Sequence, residues 1–238
     1  MREENLARLN YFRTNVTDPN FLHFKYLFRD VKEAIDNHAR GNVLDIGCGN
    51  KPYQPLFDKA ASYYGCDVIQ SSEHNVDLLC LSTDIPLPDE SFETVFSTQV
   101  LEHVEDHLAM LKEAYRLLKP GGKVIVSAPM VWEHHEVPYD FFRFTRYGLM
   151  YIFERAGFVN IDVKPNGGKW AALGQMKQSI LQSSLKGKKS LARKLLYLLY
   201  RYFYKYLINI KYYLLEEIDK DEDFITINFV VVATRKNG

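Results

Sequence analysis

Apolar residues along this chain change period several times, and each change marks an element. From Phe21 they recur at Phe24, Leu27, Phe28, Val31, Ala34 and Ile35, the stripe of an amphipathic helix. Asp18-Pro19 predicts where it starts, with Asp18 as N-cap and Pro19 in the first turn. Gly41 ends it, and the apolar run around Val43-Leu44 opens a first strand. Short strands are predicted at 63–68, 76–80 and 94–97. A helix capped by Asp106 then carries Leu108, Leu111, Ala114, Leu117 and Leu118, and Lys119-Pro120-Gly121-Gly122 stops it. A fifth strand spans 123–128, a helix capped by Thr145 runs to Ala156-Gly157, and a sixth strand spans 158–163. The last, 224–234, is long and rich in β-branched residues. Strands alternating with helices predict an α/β, doubly wound parallel sheet with right-handed crossovers.

That rhythm breaks between strands six and seven, at 167–223. At 100° per residue, Leu195, Leu199, Phe203, Tyr206, Ile210 and Leu214 share one stripe of a helix over 191–215. Arg193, Lys194, Arg201, Lys205 and Lys211 gather opposite. The whole chain is neutral, with 30 basic and 30 acidic residues, and offers no overall pull on nucleic acid. Between Leu185 and Leu215, however, Lys186, Lys188, Lys189 and those five cations occur with no acid. An apolar face, a cationic face and tyrosines at the border suit an anionic bilayer surface. The same pattern suits a helix packed on the sheet or on a second copy of the chain, as a homodimer, with its basic face in water. The acidic run 216–223 is placed to neutralise that face.

Hydrophobic residues make up 47% of the sequence, enough for a real core. No apolar run is long enough to span a bilayer, and the opening Met-Arg-Glu-Glu-Asn has no signal-peptide core. Cys48, Cys66 and Cys80 have no paired metal-ligand spacing and read as buried thiols of a reducing compartment. The expected location is the cytoplasm, with a membrane-peripheral position if the basic helix meets lipid.

Chemistry concentrates at the strand ends. Asp45 closes strand one beside Gly47 and Gly49, Asp67 lies at the end of strand two, and Asp84 follows strand three in Thr83-Asp84-Ile85-Pro86. An acid at the end of strand two can accept from both hydroxyls of a ribose, and Asp84 and the Ile85 backbone can meet an adenine edge. The positions after Gly49 are Asn50, Lys51, Pro52 and Tyr53. They lack the third glycine that brings a helix N-terminus up to a pyrophosphate. A nucleoside bearing an ammonium and a sulfonium fits better than a dinucleotide.

These motifs resemble those of class I S-adenosylmethionine-dependent methyltransferases, over roughly Gly41 to Val163. The matching residues are Leu44-Asp45-Ile46-Gly47-Cys48-Gly49, Asp67, Asp84-Ile85, Phe92–Ser97, Leu101-Glu102-His103-Val104 and Leu118–Gly122. The resemblance implies S-adenosylmethionine as cofactor and a Rossmann-like, seven-stranded, mostly parallel sheet whose last strand is antiparallel. It divides the chain into an N-terminal helical cap (1–40), a cofactor-binding core (41–166), a helical basic insertion (167–223) and a final strand (224–238). It places Asp45, Gly47, Cys48 and Gly49 at the methionine moiety and Asp67 and Val68 at the ribose. Asp84 and Ile85 would border the adenine, and Gln99 would lie over the cofactor. Family members often carry a third glycine where this chain has Lys51.

The implied reaction is methyl transfer to a small-molecule, glycan or lipid-linked acceptor, by O-methylation, with nucleic acid an unlikely substrate. A hydroxyl acceptor needs a base, and residues 129–143 supply His134, His135 and Tyr139, with His103 as a further candidate at the cleft mouth. The bland alternative is a polar loop packed down by its aromatics, its histidines solvated. His134-His135-Glu136 lacks the i, i+4 spacing of a helical zinc site, so no metal is expected. Two rivals remain at this point: a nicotinamide-dependent oxidoreductase, and a non-catalytic S-adenosylmethionine-binding scaffold.

Overall fold

A computed structural model describes residues 15–185 and 191–237. The first fourteen residues of the cap segment and Lys186, Lys188 and Lys189 of the basic run lie outside them. Helix α1 (Phe21–His38) leads into β1 (Gly41–Ile46), β2 (Ala60–Asp67), the short β3 (Leu78–Leu79) and β4 (Phe92–Thr98). A 3-10 turn (Leu101–His103), α2 (His107–Leu117), β5 (Leu118–Pro129), α3 (Arg146–Ala156) and β6 (Phe158–Asn166) follow. The insertion comprises α4 (Lys169–Leu185), α5 (Leu191–Leu199), a π segment (Tyr200–Tyr204) and α6 (Lys205–Ile218), before β7 (Asn228–Arg235).

The seven strands lie in the order β3-β2-β1-β4-β5-β7-β6. All neighbours are parallel except β7, which runs antiparallel to both β5 and β6. The sheet is therefore doubly wound, with its direction of build reversing between β1 and β4. Ligands of such sheets bind beyond the carboxyl ends of the strands at that reversal. Leu27, Val31, Ala34 and Ile35 of α1 pack on one face, against Val43, Phe96, Ile125 and Val230. Helices α2 and α3 cover the other through Met110, Leu111, Leu117, Leu149 and Phe153.

Capping follows local chemistry. The side chains of Asp106 and Thr145 accept from the N–H groups of Ala109 and Gly148, and Gly157 closes α3 at φ 103°. Helix α1 begins later than expected. Asp18 accepts from the Asn20 N–H and closes a turn before the helix, so Asn20 takes the cap position. Strand β3 shrinks to two residues. Strand β5 extends back through Lys119-Pro120-Gly121-Gly122, because Gly121, at φ 76°, allows the chain to turn directly from α2 into the sheet.

The basic helix departs most from expectation. A π segment interrupts it, shifting its phase so that Tyr200, Ile208, Asn209, Tyr212 and Glu216 face inward. Leu195, Leu199, Phe203, Ile210 and Leu214 stay exposed. Among the described residues the acidic run does not pair with the cations of that helix either. Glu216 accepts from the N–H groups of Gly168, Trp170 and Ala171; Asp219 pairs with Lys169, Asp223 with Arg146 and Glu222 with Arg29.

Candidate active site

Beyond the carboxyl ends of β1, β2 and β4 opens a cavity of about 980 Å³. Its floor is built by the turn after β1. Gly47 stands at φ 77°, and a Cβ there would lie 2.4 Å from Val100 Cγ2, so only glycine fits. The N–H groups of Gly47 and Cys48 both donate to the Cys66 carbonyl, at 2.8 and 3.1 Å. That of Gly49 donates to Asp67 Oδ2, and that of Lys51 to the Cys48 carbonyl. Lys51 adopts φ 55°, a glycine-like conformation, with its ammonium on Asp77. With these amides engaged inside the protein, the loop offers no cradle for phosphates.

The carboxylates are fixed in turn. Asp67 Oδ1 accepts from the N–H groups of Val68 and Ile69, aiming the side chain across the cavity. Asp45 is buried and accepts a short hydrogen bond from the Tyr63 hydroxyl. Burial pushes its pKa up to about 7, only partly offset by that bond, while Asp67 adds to the rise. Asp45, Asp67, Glu105, Asp106, Glu133 and Glu136 line the cavity, and no lysine or arginine does so among the described residues. Such a lining repels a pyrophosphate and suits a ligand carrying positive charge. The oxidoreductase reading falls on that observation and on the engaged amides.

The far end of the cavity is shaped by the loop after β5. Its stability comes from Arg143, whose guanidinium makes two bonds to Asp140 and donates to the carbonyls of Trp132 and Glu133. Against the opposing effect of burial, Arg143 and the His135 N–H hold Asp140 below the usual carboxylate range. The loop docks onto the 3-10 turn, because Phe141 and Phe142 donate their N–H groups to the Glu102 carbonyl. His103 Nδ1 bonds the Tyr139 carbonyl at 2.7 Å. His135 stands edge-on to His103, ring centroids 4.6 Å apart, and burial, then His103, lowers its pKa. Trp132, Tyr139, Phe141 and Phe24 give this end aromatic walls.

Comparison with known proteins agrees with this geometry. Residues 44–126 match a sequence family described as a methyltransferase domain. The demethylmenaquinone methyltransferase of Anoxybacillus flavithermus (strain DSM 21510 / WK1) is 31% identical over 184 residues, 58% of this chain and 78% of that protein. The chain belongs to the class I S-adenosylmethionine-dependent methyltransferases. A ubiquinone biosynthesis O-methyltransferase of Idiomarina loihiensis is 31% identical to the methyltransferase over 112 residues, 39% of this chain and 46% of that one. Among solved structures the [4+2]-cyclase SpnF superposes with a TM-score of 0.57 at 20% identity, over 90% of this chain and 82% of its own. That likeness concerns the fold alone. S-adenosylmethionine is the cofactor of the methyltransferase and supplies a methyl group already activated on a sulfonium.

The expected site residues do not all converge. Asp45, Gly47, Cys48, Gly49, Asp67, Val68 and Gln99 line the cavity, as do His103, His135 and Tyr139. Three expected residues do not. His134 turns outward, its side chain 91% exposed, because consecutive residues of an extended loop point to opposite sides. Asp84 is exposed beside a bridge to Leu81. Ile85 is buried in the core, its N–H bound by Glu113 and its carbonyl by Arg116. Leu81, Ser82 and Thr83 occupy that wall instead.

Sequence reasoning also passed over Asn20, His23, Phe24 and Leu27 of the first helix, and Trp132 against His23 (ring centroids 4.4 Å apart). One signal was present: His23 is a polar residue on the buried arc of an amphipathic helix. Burial lowers its pKa to about 3, with His135 contributing, so it is neutral.

Proposed function

We propose that the methyltransferase methylates a hydroxyl of a lipid-linked, ring-bearing acceptor of the quinol type, which it meets at an anionic membrane surface. In this reading Asp67 and Val68 hold the ribose, with Asp45, Gly47, Cys48 and Gly49 around the cationic methionine end. Gln99, anchored by its Nε2 on Ser127, lies over the cofactor, and the 81–83 wall takes the adenine. The acceptor ring enters between Trp132, Phe141 and Phe24, and its hydroxyl meets the imidazoles of His103 and His135, with Tyr139 beside them.

The observation that carries the reading is the exposed apolar face of the insertion. Leu195 is 59% exposed and Phe203 58%. Arg193, Lys194, Arg201 and Lys211 of the same segment are exposed and form no ion pair among the described residues. Exposed apolar residues and cations without ion pairs along one helical segment match a lipid interface better than water. The names of the two relatives point the same way, toward quinones.

The test is transfer from methyl-labelled S-adenosylmethionine to prenylated and short-chain hydroxyquinols. Label is expected on oxygen, preferentially with the prenylated acceptor in vesicles. His135→Ala should slow transfer by about 10²–10⁴-fold, the usual worth of a proton acceptor, with cofactor affinity retained. Label found only on carbon or nitrogen refutes O-methylation.

A further inference from the structure

Glu102 is fully buried at the tip of the 3-10 turn, and neither of its carboxylate oxygens has a hydrogen-bond partner among the described residues. A carboxylate left this way is costly, and nothing described so far uses it. Its Oε1 lies 3.8 Å from His103 Nε2. Glu102, His103 and His135 each present one donor atom, and these lie within 4.8 Å of one another.

The His103 imidazole is already oriented for ligation. His103 Nδ1 faces the Tyr139 carbonyl and His135 Nδ1 the Glu133 carbonyl, at 2.7 and 3.2 Å. A carbonyl only accepts, so His103 Nδ1 carries the proton and its Nε2 presents a lone pair. Metal-bound histidines use this arrangement, with the outer N–H tied to a backbone carbonyl. His135 Nδ1 stands between the Glu133 carbonyl and the Arg143 guanidinium, 3.4 Å away. The surroundings add negative charge, since Glu105, Asp106, Glu133 and Glu136 line the same end. Arg143, the cation beside His135, is bound by Asp140.

We propose that Glu102, His103 and His135 form a binding site for one divalent transition-metal cation, on the acceptor side of the cavity. Two nitrogens and one carboxylate oxygen suit zinc, manganese, iron or cobalt better than magnesium or calcium. Ligands stand ~2.0–2.2 Å from such an ion, so binding draws the three side chains together by small torsional changes. Three protein ligands leave coordination positions open toward the cavity. Resting on the proposed acceptor reading, the open position takes the acceptor's oxygen. There the cation weakens the O–H bond: the proton leaves to water, and the oxygen keeps the electron pair and attacks the methyl. As the C–O bond forms, the methyl's bond to sulfur breaks, the sulfur keeping that pair in neutral S-adenosylhomocysteine. The imidazoles then act as ligands; only in the metal-free protein would one of them take the proton itself.

The experiment uses the whole protein, stripped with EDTA and dialysed, then titrated calorimetrically with zinc chloride or cobalt chloride alone. One equivalent is expected to bind, with visible Co²⁺ bands of a nitrogen–oxygen site. Outer partners alone are worth ~10–100-fold in affinity, so His103→Ala, His135→Ala and Glu102→Gln should each weaken uptake by about 100-fold or more. His134→Ala, whose imidazole points to solvent, should bind as wild type. Should the buried Glu102→Gln fail to fold, His135→Ala decides, checked by circular dichroism and retained S-adenosylmethionine binding. Less than one equivalent in the wild type, or unchanged uptake in both histidine variants, overturns the site. Absent metal uptake with methyl transfer intact in EDTA refutes this inference alone. Stoichiometric uptake with no hydroxyl ever methylated refutes the acceptor reading alone.

Discussion

Asp45 sits desolvated at the tip of β1, and burial keeps it protonated up to a pH of about 7. Its pKa is raised on folding, so between the ordinary carboxylate range and pH 7 the unfolded chain has lost a proton that the folded chain keeps. The group therefore favours the folded state at low pH, and that contribution is lost as pH rises through about 7. Asp45→Asn removes the slope. Without ligand, the variant should melt with the wild type near the ordinary carboxylate range, at a pH of about 4, and above it at pH 8, by at least about 3 °C. Bound positive charge favours the ionised carboxylate, so wild-type affinity for S-adenosylmethionine should rise roughly tenfold from pH 6 to 8. Calorimetry should find the variant weaker and flat across that range. The place of a strand-end acid on the cavity wall was legible in Asp45-Ile46-Gly47-Cys48-Gly49, since side-chain type and glycine spacing are local. The Asp84 side chain misled because a bridge to Leu81 turns it outward and α2 clamps the Ile85 peptide. Leu81 is three residues from Asp84, but Glu113 and Arg116, which hold the Ile85 peptide, lie beyond any local window.

At the scale of elements, Glu216 ties two helices of the insertion together. Its carboxylate on α6 accepts three N–H bonds at the start of α4, satisfying donors that a helix N-terminus leaves open. Hydrogen bonds to a charged group are worth about 1.5–3 kcal/mol each. Glu216→Ala should lower the melting temperature by about 6 °C or more. Glu217→Ala, an exposed neighbour that accepts from the Tyr26 hydroxyl, should shift it far less. If both variants melt alike, the capping role is wrong. The regular elements were readable because apolar period and cap residues are written along the chain. The phase of the basic helix was not, since a π segment at 200–204 rotates everything after it and counting at 100° per residue assumes no such insertion.

For the whole molecule, no helix among the described residues is long and apolar enough to cross a membrane, and the proposed lipid contact is the one through the insertion. The protein should float with phosphatidylcholine vesicles containing phosphatidylglycerol and stay below with phosphatidylcholine alone. Leu195→Ser with Phe203→Ser should abolish flotation. Arg201→Gln should weaken it by about fivefold, the ~1 kcal/mol worth of one basic residue near an anionic surface. Flotation that ignores lipid charge and those substitutions refutes the interface. The doubly wound sheet was legible from the alternation of elements. The Glu102, His103 and His135 cluster was not: a turn after β4 and a loop after β5 bring together residues thirty-odd positions apart, and only the fold makes them neighbours.

Among the described residues the cavity wall carries six acids and no lysine or arginine. The donor arrives with a positive sulfur, and its by-product leaves with a neutral one. Walls that attract the first hold the second less firmly, so the side chains that load the cleft also help to empty it after every turnover.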